Sequence, residues 1–324
     1  MQGGDGELHG DRSRVDSNVH QGIANIGSGN VHVDRISYNS EYDISEACIH
    51  VHSEPTDYGG SARPPDLADT LYFEGMNFRQ ASVRSADAST CQWLLDSPEY
   101  RRWWSDDHSK DHCRLFWIKG AAGAGKSTLM KYAVDQSPKS AQKVLISHFF
   151  DAQGISELEK TTEGMYRTLL YCILDYVPEK EVKDLTPKRL PIRNGHWPLE
   201  SLVKLMKLAL PKMTVQRLTI FIDALDECDE KQVRDMVRLI EELIITNSSL
   251  WVCFASRPYP FVSSIRESNF DISLQAKHMS SIAGYIKSHI NIGDSKVAMA
   301  VKKKLIQKPG AVFMWAYLVV DILN

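Results

Sequence analysis

The sequence predicts an α/β fold, a parallel sheet with helices on both faces, and three observations carry that prediction. Five short apolar runs alternate with helix-period segments between residues 115 and 274. The first run leads straight into a glycine-rich stretch, GAAGAGKST (Gly120 to Thr128), which then opens a helical pattern. The third run, LTIFID, ends in a carboxylate, Asp223. Strands alternating with helices need crossover connections, which make neighbouring strands parallel and leave both faces of the sheet covered.

The segment before this pattern is different. The first lysine is Lys110, and nine of the nineteen glycines fall in the first sixty residues. Residues 1–65 carry few long apolar side chains, so they bury too little surface to offset their ordering entropy and are expected to form a disordered Gly/Asn/Ser-rich tail. ARPPDL, ending at Leu67, closes the tail as a stiff linker. Within it, HQGIANIGSGNVHVDRIS (residues 20–37) spaces Ile23, Ile26, Val31, Val33 and Ile36 among polar residues and glycines. Asn25 and Asn30 would form side-chain ladders if strands stacked in register. Two readings of this patch stay open: a weakly β-prone linker, and an amyloid-type signalling motif that templates a partner protein.

From about Leu71 the pattern is globular. SVRSADASTCQWLLDSPEYRRWW reads as a helix with an apolar cluster at Cys91, Trp93, Leu94 and Leu95, broken or restarted at Pro98. Strands are predicted at 115–119, 144–150, 218–222, 250–255 and 272–274, and helices near 127–136, 163–177, 199–210 and 232–246. In the last helix Val233, Met236, Val237, Ile240, Leu243 and Ile244 recur at helical spacing. After Lys277 only helical patterns remain. The expected organisation is therefore a tail (1–65), a nucleotide-binding domain (70–275) and a small helical subdomain (276–324).

Composition excludes several classes. Hydrophobic residues are 43%, charged residues 24% and the net charge is −3, so no global basic field draws in nucleic acid or anionic membrane. The N-terminus lacks a basic-then-apolar secretory pattern, and AVFMWAYLVV is too short to span a bilayer. The cysteines, Cys48, Cys91, Cys113, Cys172, Cys228 and Cys253, form no CxxC pair and no zinc-spaced cluster with histidine. Cys113, Cys172 and Cys253 lie in apolar runs, where cysteine acts as a small hydrophobe. A reducing cytoplasm is the expected compartment.

Gly120, Ala121, Ala122, Gly123, Ala124, Gly125, Lys126 and Ser127 fit GxxxxGK[ST] at every fixed position, between a strand and a helix. Gly123 and Gly125 free the backbone for unusual dihedrals and close approach to phosphate. The loop N–H groups then face inward at the positive end of a helix. Lys126 is placed to reach the β- and γ-phosphates, and Ser127 to offer its hydroxyl to Mg²⁺. Thr128 completes the first turn of the helix. In RLTIFIDALDECDE, Asp223 ends a buried strand and faces the crevice where open α/β sheets bind ligands, which makes it the candidate Mg²⁺ ligand. Asp226 or Glu227 is the candidate for orienting or deprotonating an attacking water. Asp229 and Glu230 read as ordinary charges at a helix start. In LWVCFASRPYP the strand ends at Ser256 and Arg257, and Arg257 is placed to report a γ-phosphate.

Together these segments resemble the NACHT domain of the STAND class of P-loop NTPases. The resemblance is to fungal NOD-like receptors, whose nucleotide domain is also described as nephrocystin-3-like. TCQWLLDSPEYRRWW, LFWIKGAAGAGKSTLMK, HFFDAQGISELEKTTEGMYRTLLYCIL, LTIFIDALDEC, WVCFASRPYP and GAVFMWAYLVVDIL occur in that family's order, from roughly Leu71 to the C-terminus. Residues 20–37 resemble the Gly/Asn-rich motifs at those receptors' N-termini.

The resemblance implies a three-layer P-loop NTPase fold whose five-stranded core has the order 5-1-4-3-2, with the Arg257 strand between the phosphate-loop strand and the Asp223 strand. It implies ATP, or GTP, bound with Mg²⁺ and slow hydrolysis. Exchange would switch a closed monomer to an assembling form that acts on a downstream effector in self/non-self recognition or cell death. By motif, Lys126 and Ser127 bind phosphate and Mg²⁺, Asp223 binds Mg²⁺, Asp226 takes the hydrolytic position and Arg257 senses the γ-phosphate. Arg79 and Val83, in MNFRQASV, fall in the segment that lies against the base.

Two departures stand out. Ala224 occupies a position where the family usually has glycine, a change expected to be tolerated. The chain's last residue, Asn324, falls inside the first helical subdomain, so the winged-helix subdomain and sensor repeats that the resemblance implies are not in this sequence. A switch without that lid is expected to bind nucleotide weakly or to hold it without cycling. The competing expectation is a non-hydrolysing scaffold that recruits a partner through its tail. No NKxD-like guanine-reading segment follows the acidic strand, which argues against a G protein or metabolic kinase.

Overall fold

The computed structural model describes residues 23–25, 30–32 and 52–53, and then 66–324 apart from 87, 106–113, 139, 187–191, 193–195, 259–269 and 308–311. It divides into two units, Met1–Pro64 and Pro65–Asn324. Most of the tail, and with it the expected disorder, lies outside the described residues, as do Cys48 and Cys113. In the first unit β1 (Ile23–Asn25), β2 (Asn30–His32) and β3 (His52–Ser53) pair antiparallel, with Asn25 opposite Asn30 in the β1–β2 hairpin.

In the second unit the chain runs through α1 (Leu67–Leu71), α2 (Phe78–Ser82), α3 (Ala88–Asp96), α4 (Pro98–Trp104), β4 (Leu115–Lys119), α5 (Lys126–Gln136), β5 (Lys143–Phe149) and α6 (Thr162–Leu174). It continues through α7 (Glu179–Leu185), α8 (Leu199–Ala209), β6 (Arg217–Asp223), α9 (Glu230–Thr246), β7 (Leu250–Ser256), β8 (Phe270–Ser273), α10 (Leu274–His289), α11 (Lys296–Ile306) and α12 (Phe313–Leu323). The sheet order is β5-β6-β7-β4-β8 and every neighbouring pair is parallel. Counted from the phosphate-loop strand this is 5-1-4-3-2, and β7 lies between β4 and β6 as expected.

The central strands β6 and β7 are buried along their whole length, which is why they read as near-continuous apolar runs. Alternate residues feed two separate cores. Leu218, Ile220, Ile222, Val252 and Phe254 pack with residues of α6, α8 and α9. Phe221, Phe116, Ile118, Cys253 and Ala255 pack with residues of α3, α4 and α5. A one-residue slip would exchange the two sets, so the pattern itself fixes the register. At the α3–α4 break, the Ser97 hydroxyl accepts the Tyr100 N–H at 3.2 Å and Pro98 takes the first helical position, where its missing donor costs nothing.

The last strand differs from the expected 272–274. It spans Phe270–Ser273, and Leu274 instead opens α10, where its side chain fills the space beside Gly120; a Cβ there would lie 3.0 Å from Leu274 Cδ1. Ile282, Tyr285, Ile286, Ala316 and Val320 then form a small core between α10 and α12. Among the described residues no helix is long and apolar enough to cross a membrane, and Cys91, Cys172, Cys228 and Cys253 are free thiols.

The segment leading into the domain is anchored by a buried cation with no counterpart in the predicted pattern. Arg167, on α6, is 5% exposed and donates to the Leu71 and Tyr72 carbonyls at 3.0 and 2.9 Å, closing the C-terminal end of α1. Glu163 pairs with it at 3.5 Å and also accepts the Trp197 N–H at 3.0 Å. Arg167→Ala leaves these buried carbonyls without their donor, while Glu163 keeps the Trp197 N–H and His196, so the change is expected to cost about 1–3 kcal/mol. Urea denaturation checks this; a cost below about 1 kcal/mol would show that the anchor is dispensable.

Candidate nucleotide-binding site

β4 delivers Gly120 to the C-terminal edge of the sheet, where the Gly120 N–H donates to the Ser256 carbonyl at 3.2 Å and ties the loop to the end of β7. Gly123 and Gly125 both adopt left-handed backbone, with φ of 71° and 84°, and Gly125 is the N-cap of α5. The Lys126 ammonium folds back onto the loop, donating to the Gly120 and Ala121 carbonyls at 2.9 and 3.1 Å. Ala122 is exposed and Ala124 is buried, while Ser127 and Thr128 lie half-buried in the first turn of α5.

Asp223 is fully buried, and neither of its carboxylate oxygens has a hydrogen-bond partner. Burial pushes its carboxyl up to about 6, and the Ser127 hydroxyl, the Lys126 ammonium, the Ala224 N–H and the Arg79 guanidinium pull it part of the way back. Ser127 therefore lies close enough to favour the ionised form without meeting hydrogen-bond geometry. Lys126 is affected in the reverse sense: burial lowers its pKa, while Asp226, Asp223 and Glu227 raise it. The phosphate loop and the acidic strand end thus share one electrostatic neighbourhood. A buried carboxylate with both oxygens unengaged, beside a hydroxyl, fits the oxygen donors that Mg²⁺ takes. Among the described residues no cluster of three or more acids, histidines or cysteines offers an all-protein cage instead.

The two remaining acids are already engaged. Asp226 accepts the Arg257 backbone N–H at 2.8 Å and pairs with the Arg257 Nε at 2.8 Å. Glu227 accepts the Ala152 N–H at 2.9 Å, from the loop after β5. Both acids follow Ala224, which has φ 58° and ψ 44° and is the one non-glycine residue in left-handed backbone among those described. That conformation explains why glycine suits this position.

Arg79 and Val83, on and just after α2, are placed differently from each other. Val83 is buried in the same core as Ala124 of the loop, and its carbonyl accepts the Lys131 ammonium at 2.5 Å. Arg79 lies within electrostatic reach of Asp223, with its Nε buried and unpartnered. Gln80 beside it accepts the Ser147 hydroxyl of β5 at 2.9 Å.

Sequence reasoning missed two supporting groups. Lys131 sits one helical turn beyond the motif, and no local pattern marks its partner. Met314, at the start of α12, donates its N–H to the Gly123 carbonyl at 2.9 Å, and a Cβ on Gly123 would lie 3.0 Å from the Met314 Cβ.

Residues 89–257 match the model of the family described as Nephrocystin 3, N-terminal, a stretch that begins in α3 and ends at Arg257. The chain is 23% identical over 248 residues to the vegetative incompatibility protein HET-E-1 of Podospora anserina, an alignment covering 71% of this chain and 18% of that protein. The chain thus spans less than a fifth of that relative's length. Solved structures similar to it include the Walker-type ATPase PABY2304 of Pyrococcus abyssi, with a TM-score of 0.42 and 11% identity over 74% of this chain and 70% of that one. Another is PH0952 of Pyrococcus horikoshii, a STAND protein with a tetratricopeptide repeat sensor, with a TM-score of 0.37 and 15% identity over 65% of this chain and 30% of that one.

Two buried groups give the fold opposed pH dependences. For Asp223 the folded state keeps a proton that the unfolded chain releases near 3.8, so its contribution is fully present below that value and is lost as pH rises through about 6. Burial pushes His148, on β5, down to about 3, so its contribution is present above 6.5 and is lost as pH falls towards 3. Asp223→Asn removes the first cost. Without nucleotide or Mg²⁺ the variant is expected to be more stable than the parent by up to roughly 3 kcal/mol at pH 8, with the gap closing below pH 4. Urea denaturation at both pH values decides it; equal stability at pH 8 would mean that the carboxylate is solvated.

Proposed function

The chain belongs to the Nephrocystin 3, N-terminal family, among the NACHT-type STAND P-loop NTPases, and from that membership we propose that it is a signalling switch that binds ATP or GTP with Mg²⁺ and hydrolyses it slowly. The observation that carries the reading is the unpartnered, fully buried Asp223 carboxylate beside Ser127 and Lys126. An ionised carboxylate without hydrogen bonds is unfavourable in a protein interior and is relieved by a bound divalent cation.

In this reading the loop N–H groups and Lys126 hold the phosphates, while Ser127 and Asp223 would hold Mg²⁺, which would supply positive charge against the phosphate oxygens. Asp226 or Glu227 takes a proton from water as its oxygen attacks the γ-phosphorus. The bond from that phosphorus to the β–γ bridging oxygen breaks, and nucleoside diphosphate and phosphate leave. The loop chemistry serves ATP and GTP alike. The relative's description as a vegetative incompatibility protein supports placing the switch in fungal self/non-self recognition or programmed cell death; the proposal adds a cytoplasmic location, self-assembly and an effector recruited through residues 20–37.

One observation favours a second reading. Asp226 and Glu227 are both engaged by protein donors, which suits a site that binds nucleotide as a structural signal without turning it over. Lys126→Ala separates either reading from no site at all, since charge-assisted phosphate contacts are the stronger kind. Calorimetry with Mg·ATP is expected to show at least about a hundredfold weaker binding in the variant, and unchanged affinity would sink both. Steady-state phosphate release above the Lys126→Ala background, lost in Asp226→Asn or Glu227→Gln, selects the switch.

A further inference from the structure

Resting on that nucleotide-site reading, we propose that Arg257 gates the site: it holds Asp226 neutralised until the third phosphate of a nucleoside triphosphate draws the guanidinium away. One residue engages both oxygens of the acid, through a backbone N–H on Oδ1 and a side-chain Nε on Oδ2, each at 2.8 Å. The two contacts differ in kind. The N–H belongs to the residue that directly follows β7, whose last residue pairs in register with Lys119, so its position is set by the sheet. The Nε contact depends only on the rotamer of a long side chain. The Asp226 side chain is 8% exposed and that of Arg257 is 53% exposed, so the acid is the fixed partner and the arginine the movable one.

Glu227 offers no such exchange. Its donor is the Ala152 backbone N–H, which no approaching phosphate can draw off by a rotamer change. Of the two candidate acids, Asp226 is the one that has, among the described residues, a side-chain partner that the substrate can displace. The charges lie close together: Asp226, Asp223 and Glu227 raise the Lys126 pKa and Arg257 lowers it, so the guanidinium is within electrostatic reach of the ammonium that serves the phosphates. A half-exposed ion pair is a weak contact, whereas a guanidinium on a phosphoryl group makes charge-assisted, bidentate bonds. The exchange therefore favours a triphosphate, while a diphosphate presents no third phosphoryl group to compete. Once the side chain leaves, Oδ2 is free to accept a proton from water while Oδ1 stays fixed. The same movement reads the γ-phosphate and releases the base.

A double-mutant cycle tests the gate by binding alone. Affinities for a non-hydrolysable ATP analogue and for ADP, both with Mg²⁺, are measured by calorimetry in the parent, Asp226→Asn, Arg257→Ala and the double variant, with circular dichroism to verify folding. Asp226→Asn is expected to tighten the analogue about fivefold and to leave ADP within about twofold, because the arginine no longer has to leave a partner. Arg257→Ala is expected to weaken the analogue alone, and Asp226→Asn added to it is expected to tighten nothing further. Equal tightening of analogue and ADP, or tightening that persists in the double variant, would show a general charge effect and overturn the gate. Lys126→Ala run in parallel keeps the two levels apart. If it binds normally, the nucleotide site itself is wrong; if it fails to bind while the cycle is additive, only the gate is.

Discussion

A fully buried carboxylate with no hydrogen bond to either oxygen sets the terms for everything around Asp223. It is there because β6 is a central strand, flanked by β5 and β7 and buried to its last residue. The backbone around it is satisfied: the Asp223 carbonyl accepts the Phe150 N–H at 3.2 Å, which locks the end of β6 to the chain leaving β5. Only the side chain is left unserved. The groups that moderate its charge come from distant parts of the sequence: Ser127 and Lys126 from the loop after β4, and Arg79 from α2. The sheet order brings them together, because the crossover that puts β7 between β4 and β6 sets the strand ends side by side.

Much of this was legible before any coordinates. The strands that matter most are the ones buried on both faces, so LFWIK, LTIFID and LWVCFAS announce themselves by composition alone. The phosphate loop is legible because its chemistry demands glycine at two left-handed positions and a lysine and hydroxyl at fixed offsets. What stayed hidden depends on contacts far apart in sequence. Arg167 and Arg217 look like ordinary surface cations, yet one closes α1 and the other lies 4.4 Å from each of the Trp104 and Trp251 rings. Leu274 reads as a strand residue because the run before it is β-like, whereas it opens α10 and packs against Gly120, a contact far away in sequence. Arg79, expected with the base by resemblance, also contributes charge at Asp223, a contact that its local sequence does not announce.

The C-terminal helices also bear on the loop. The Met314 N–H on the Gly123 carbonyl, and the Arg84 guanidinium donating to the Tyr317 hydroxyl, join α12 to the phosphate loop and to the segment after α2. Gly123 therefore lacks a side chain for two independent reasons, its positive φ and the closeness of α12. A substitution there would disturb the loop and the seat of the helix at once, so its effect on one cannot be read without the other.

Ala224 carries a different consequence. A methyl group at φ 58° strains the turn by about 1–2 kcal/mol. Exchange to glycine would relieve that but would forfeit a buried methyl worth about 0.8 kcal/mol and loosen the unfolded chain by a comparable amount. The three effects nearly cancel, so alanine is tolerated at a backbone conformation that favours glycine. What does not cancel is stiffness: with a Cβ in place the turn has fewer backbone conformations open to it than glycine would allow. Asp226 and Glu227 follow that narrowed turn at the tip of β6, which favours rearrangement in the side chains that face them from across the cleft over movement of the turn itself.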